Sequence, residues 1–126
     1  MKKTQIHQFD PVIYPFKLWV SVTDNLYPIA DRFIKPSGKS FDTDFVTHHL
    51  AFTDTVVEKE TALWGVIAVF KNKRQITPGI MAHEATHAAR EFWDRINENA
   101  TGAEADAYLV EWIVDCIDKV RLNKIK

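Results

Sequence analysis

Cysteine is almost missing from this chain: Cys116 is the only one in 126 residues. A single thiol excludes an internal disulfide and any cluster of thiolate metal ligands. Set among Ile113, Val114 and Ile117, it reads as a small buried hydrophobe. Long apolar runs are missing too. None reaches the ~18 residues of a membrane span, and Thr4-Gln5-Ile6-His7-Gln8 is not the apolar core of a signal peptide. The expectation is an intracellular, cytoplasmic chain with no membrane partner. Neither sign of charge is in excess: 16 Lys and Arg face 17 Asp and Glu, a net charge of −1. Such a balance lacks the electrostatic footprint of a nucleic-acid binder, so no nucleic-acid partner is expected and a DNA-binding regulator is disfavoured. The basic cluster Lys119, Arg121, Lys124 and Lys126 reads as the solvated end of a helix.

Glycine and proline are scarce, at 4 and 5 residues, and no linker, repeat or low-complexity tract interrupts the chain. Residues 1–126 therefore read as one domain. With 46% apolar and 26% charged residues, the composition is that of an ordinary globular protein. It suffices for one core but not for the two lobes that large hydrolases set around a cleft.

What is present falls into strands first and helices second. Val12 to Val22 is rich in β-branched and aromatic residues, and Pro15 puts the start of that strand at an edge or bulge. Ile29, Ala30, Phe33 and Ile34 recur at helical spacing after Pro28, predicting a short helix over 26–34. Pro36 to Ser40 is a loop, and Asp42 to Phe45 suits a turn or a strand start. His49 to Val57 favours a strand. After the polar turn Glu58 to Thr61, the apolar run Ala62 to Phe70 should pair with it as a hairpin and lie buried on both faces. Lys71 to Arg74 is a charged exit.

Thr77-Pro78 starts a helix, with a Thr cap and a proline in the first turn, where no amide partner is needed. It should run to about Asn97, with a break at Asn99 to Gly102. A last helix from near Ala103 carries Ala107, Val110, Ile113, Val114, Ile117 and Val120 as its apolar stripe. The predicted fold class is α+β: a small antiparallel sheet of about three strands followed by two long packed helices.

The residues that carry chemistry are His83-Glu84-Ala85-Thr86-His87, an H-E-x-x-H on the predicted helix. The i, i+4 spacing puts both imidazoles on one helical face, one turn apart, where they can share an ion. Zinc suits two neutral imidazoles, takes a carboxylate as third ligand and leaves the fourth position to water. Glu84 stands beside His83, on the side where that water would lie. The small residues Ala82, Ala85, Ala88 and Ala89 let another element approach this helix closely.

A metzincin would continue with Gly at 90 and His at 93, and Arg90 and Trp93 stand there. A third ligand from the following helix is then the common solution. Glu104, Tyr108, Glu111 and Asp115 form one polar stripe on it. A straight first helix that doubles back tightly would favour Glu111 or Asp115; an earlier end or a steep crossing would favour Glu104.

The stretch from His83 to Asp115 resembles the gluzincin class of zinc metallopeptidases, in which an H-E-x-x-H helix precedes a helix bearing a ligand glutamate. The matching residues are His83, Glu84 and His87, then Glu104 in Gly102-Ala103-Glu104-Ala105-Asp106-Ala107-Tyr108-Leu109-Val110. More loosely, the whole chain resembles small phage- and mobile-element-encoded metallopeptidase-like proteins. There a strand such as Tyr14-Pro15-Phe16-Lys17-Leu18-Trp19 precedes the metal helix and a Glu-Ala-x-Ala-Tyr-Leu segment follows it. The separation of His87 from Glu104 is short for a gluzincin. The resemblance implies a minimal zincin-like fold, Zn2+ held by His83, His87 and Glu104, and Glu84 as general base of a peptide hydrolase.

The tetrahedral oxyanion needs a further donor, for which Tyr108, His48, His49 and Arg90 are candidates. The expected partner is a peptide or protein substrate, which would add to the strand Ala62 to Phe70 if one of its sides is an accessible edge. A protein partner that completes the cleft fits the short chain. His7 is read as part of an N-terminal tail, and Trp19, Trp64, Trp93 and Trp112 as core. Asn99-Ala100-Thr101 has the form of a glycosylation acceptor, but without a secretory signal it is a helix-breaking loop. The alternative function is a non-catalytic structural or interaction protein of a phage or mobile element, with the metal site kept for stability.

Overall fold

Alternating apolar residues build a five-stranded sheet, and two amphipathic helices cover one of its faces. The computed structural model describes residues 4–11, 16–41, 43, 51–96 and 103–124. In chain order the elements are β1 (Ile6–Phe9), β2 (Lys17–Val22), α1 (Tyr27–Arg32), β3 (Phe33–Ile34), β4 (Ala51–Glu58), β5 (Trp64–Phe70), α2 (Pro78–Arg95) and α3 (Ala103–Arg121). The strand order across the sheet is β1-β2-β5-β4-β3. The α+β order of strands, then two packed helices, is as the sequence predicts. The sheet differs from the expectation in two ways: among the described residues it has five strands rather than about three, and it is mixed rather than antiparallel.

Both differences come from long-range pairing. His7 is not in a tail; Ile6–Phe9 pairs antiparallel with β2, His7 opposite Val20. From β2 the chain crosses by α1 to β3 at the far edge, descends β4 and returns along β5, which inserts beside β2. That path makes β2 and β5 parallel, Lys17 opposite Gly65 and Val22 opposite Phe70. The predicted β4–β5 hairpin is present and antiparallel, from Ala51 opposite Phe70 to Val57 opposite Trp64. β5 is buried on both faces as expected, but it has a strand on each side and no free edge. Peptide addition to β5 is therefore ruled out. β3 pairs only with Val57 and Glu58, so among the described residues Ala51 to Val56 have a strand partner on one side alone.

Period-two alternation sends Leu18, Val20, Val66, Ala68 and Phe70 toward α2 and α3, and Trp19, Ile67 and Val69 to the opposite face. On the helical face Phe16 stacks on Phe92 with ring centroids 3.7 Å apart. On the other face α1 and the following turn bury Ile29, Phe33 and Phe41 against Trp19. Gly65 is a place where no side chain fits, since a Cβ there would stand 2.2 Å from the Lys17 carbonyl oxygen.

The end of β4 is pinned electrostatically. Glu58 accepts from Arg32 of α1 and from the Thr61 hydroxyl. Burial alone would raise its carboxyl, but these bonds and the Arg32 charge outweigh that and hold it below the ordinary value.

Thr77 caps α2 as predicted, its hydroxyl accepting from the Ile80 amide at 3.2 Å, with Pro78 in the first turn. The expected break at 99–102 lies outside the described residues. On α3 the buried stripe is Leu109, Ile113, Cys116, Ile117 and Val120. Ala107 is exposed, and Val110 and Val114 flank the contact. Trp19 and Trp93 are core, whereas Trp64 and Trp112 are half-buried at its margin. Among the described residues no helix is long and apolar enough to cross a membrane.

Candidate functional site

Helix α2 lies across β4 and β5, and α3 lies across β2. The side of α2 toward the sheet carries Met81, Ala85, Ala88, Ala89 and Phe92, all buried. Three of the four predicted small residues thus line the close approach, and Ala82 faces solvent. His83 and His87 sit one turn apart on the exposed flank of this helix, and the His83 side chain is 68% exposed. Their rings meet edge to face, and the two Nε2 atoms are 3.2 Å apart.

That separation tests the histidines as a ligand pair. Two nitrogens bound tetrahedrally to zinc at about 2.0–2.1 Å stand roughly 3.3 Å from each other. The Nε2 separation is therefore close to that of two ligands on one shared ion. Ligation requires both nitrogens unprotonated, whereas a hydrogen bond between them needs a proton on one.

Glu84 is different from its neighbours: it is 6% exposed and points toward β4. The Thr53 hydroxyl donates to its Oε1 at 2.6 Å, and its Oε2 stands 4.0 Å from His83 Nε2. One carboxylate oxygen is thus anchored to the sheet while the other lies on the His83 side. Thr53 and Thr55 share the helix-facing side of β4, two residues apart. Thr55 acts on Glu91, two helical turns beyond Glu84, to lower its carboxyl. Burial, then the nearby charge of Asp54, raises the Glu91 carboxyl above its ordinary value, against the lowering effects of Thr55 and His87. Asp54 is itself raised, mainly by burial, with Lys35 and the Thr55 amide opposing.

The structure brings His83, Glu84 and His87 together and does not bring Glu104 to them. Among the described residues no group of three or more His, Cys, Asp and Glu side chains converges as a metal site. The hairpin of helices explains the distance: Trp93 Nε1 donates to Asp106 at 2.9 Å, which sets the start of α3 level with the end of α2. Trp93 is six residues past His87, about 9 Å along the axis, and Glu104 lies beyond Asp106 in the same direction. By the same count Glu111 is nearer in level to His87. Glu104, Glu111 and Asp115 are all exposed. Tyr108 is 66% exposed on the outer side of α3, and Arg90 is exposed on α2. His48 and His49 lie outside the described residues.

Thr53, Thr55 and Glu91 are the residues that sequence reasoning did not select. Glu91 had a signal, because 83, 87 and 91 recur at one helical position every four residues. The threonines had only the period-two alternation of a strand whose partner was unknown. Compared with known proteins, the chain matches no family model, and no curated protein and no solved structure matches it.

Proposed function

We propose that this chain is a minimal, zincin-like, zinc-dependent metallopeptidase or close hydrolase, with His83 and His87 as zinc ligands and Glu84 as general base. The observation that carries the reading is two Nε2 atoms 3.2 Å apart, with the buried Glu84 carboxylate 4.0 Å from that of His83. When bound, zinc supplies Lewis-acid polarisation of a carbonyl and acidifies a water. The chain's own residues do the rest. Thr53 holds Glu84 Oε1, which leaves Oε2 on the His83 side. From there Glu84 takes a proton from the attacking water and returns it to the leaving nitrogen, a role worth roughly 10²–10⁴ in rate. Glu104, the third ligand by family resemblance, and Tyr108, a candidate oxyanion donor, both stand on the exposed side of α3.

A second reading has its own support. With no third ligand converging among the described residues, the ion would serve stability alone, in a structural or interaction protein of a phage or mobile element. The test is metal content by mass spectrometry, with peptide-library cleavage, on wild type, Glu84→Gln and His83→Ala. The hydrolase reading expects about one zinc per chain in wild type and Glu84→Gln, none in His83→Ala, and cleavage by wild type only. Zinc without cleavage in wild type favours the structural reading; no zinc in any form removes both.

A further inference from the structure

A cleft of about 1020 Å³ opens at the carboxyl ends of β2 and β5, the parallel pair of the sheet. It is closed on one side by the first residues of the chain's described part and on another by the end of α3. No residue of α2 lines it, so it is separate from the histidine pair. Its lining gathers Lys71, Lys73 and Arg74, with the amides of Asn72 and Asn123, against one carboxylate, Asp24. Among the described residues, none of these three cations enters an ion pair. His7 also lines the cleft, and burial followed by the charge of Lys73 lowers its imidazole below the ordinary value.

A charged exit from a strand is commonly just solvated. Here three cations line one concavity against a single carboxylate, in a chain whose net charge is −1. Lys and Arg beside side-chain amides are the donor set that matches phosphate oxygens. The volume exceeds what a single phosphate fills. We propose that this cleft binds a polyphosphate, either free or carried by a nucleotide.

The test is isothermal titration of the full, chelator-treated chain with pyrophosphate, at an ionic strength held constant with potassium chloride. The proposal expects saturable binding at one per chain, and binding at least about tenfold weaker in Lys73→Ala/Arg74→Ala. Circular dichroism establishes that this variant is folded. His83→Ala should bind as wild type does, as should Lys59→Ala at the distant β4–β5 turn. Adenosine triphosphate in place of pyrophosphate separates the sources: equal affinity assigns the cleft to the phosphates, tighter binding to a nucleotide. Absence of saturation up to roughly 10 mM, wild-type affinity in the double variant, or equal weakening in Lys59→Ala or His83→Ala would overturn it.

Discussion

Thr53 decides how Glu84 is presented, because its hydroxyl donates to a carboxylate that is 6% exposed. Thr53→Val keeps the shape and removes the donor, so it leaves a buried carboxylate oxygen unpaired. We expect a loss of about 1–3 kcal/mol in urea unfolding, largely restored by Thr53→Ser. Glu91 gives a residue-scale prediction of opposite sign. Its folded carboxyl is raised by burial and by Asp54, so its ionised form costs stability above that raised value. The cost disappears as pH falls through it. Glu91→Gln should therefore be the more stable protein at pH 7, by at most ~1 kcal/mol since Glu91 is half-buried and screened. Its advantage should shrink toward zero on acidification, measured with a chelator present so that His87 carries no metal.

Among elements, β5 bears the most, since it joins the parallel and antiparallel halves of the sheet. Gly65 lets β2 approach: a Cβ there would meet the Lys17 carbonyl oxygen at 2.2 Å and Trp19 Cζ3 at 2.8 Å. The obstacle is backbone rather than the end of a flexible chain, so Gly65→Ala should cost at least ~2 kcal/mol, read as a lower denaturation midpoint. The elements also show how much of this fold was legible. The capped α2 and the β4–β5 hairpin were readable because Thr77-Pro78 and the turn after Glu58 are local signals. β1 and the two residues of β3 were not: Ile6–Phe9 is short, and its strand character depends on β2 being beside it. The apolar stripe of α3 was assigned slightly off its true face for a related reason. Ala107 suits either side of a helix, and the contact with α2 selects Leu109 and Cys116 instead.

At the scale of the molecule, Cys116 reports on cooperativity. Burial beneath the helices pushes its thiol up to about 12, so the reactive thiolate forms only when the fold opens. An aromatic disulfide reagent at pH 8 should leave native protein unlabelled and react fully in denaturant. If the proposed site binds zinc to the native state alone, added zinc should slow this labelling by the factor 1 + [Zn]/Kd in wild type and leave His83→Ala unchanged.

Sequence alone determined what is local: the strands-then-helices order, the start of α2, and the placing of His83, Glu84 and His87 on one helix at ligand spacing. Helical geometry requires no partner to bring residues at i and i+4 together. Tertiary structure decided everything that depends on two distant segments meeting. It made β5 an interior strand instead of an edge, left the upper part of β4 with one strand partner among the described residues, and set Thr53 against Glu84. The level at which α3 packs on α2 left Glu104 away from the histidines. Helix spacing cannot specify that level, because it is fixed by which side chains interlock across the two helices.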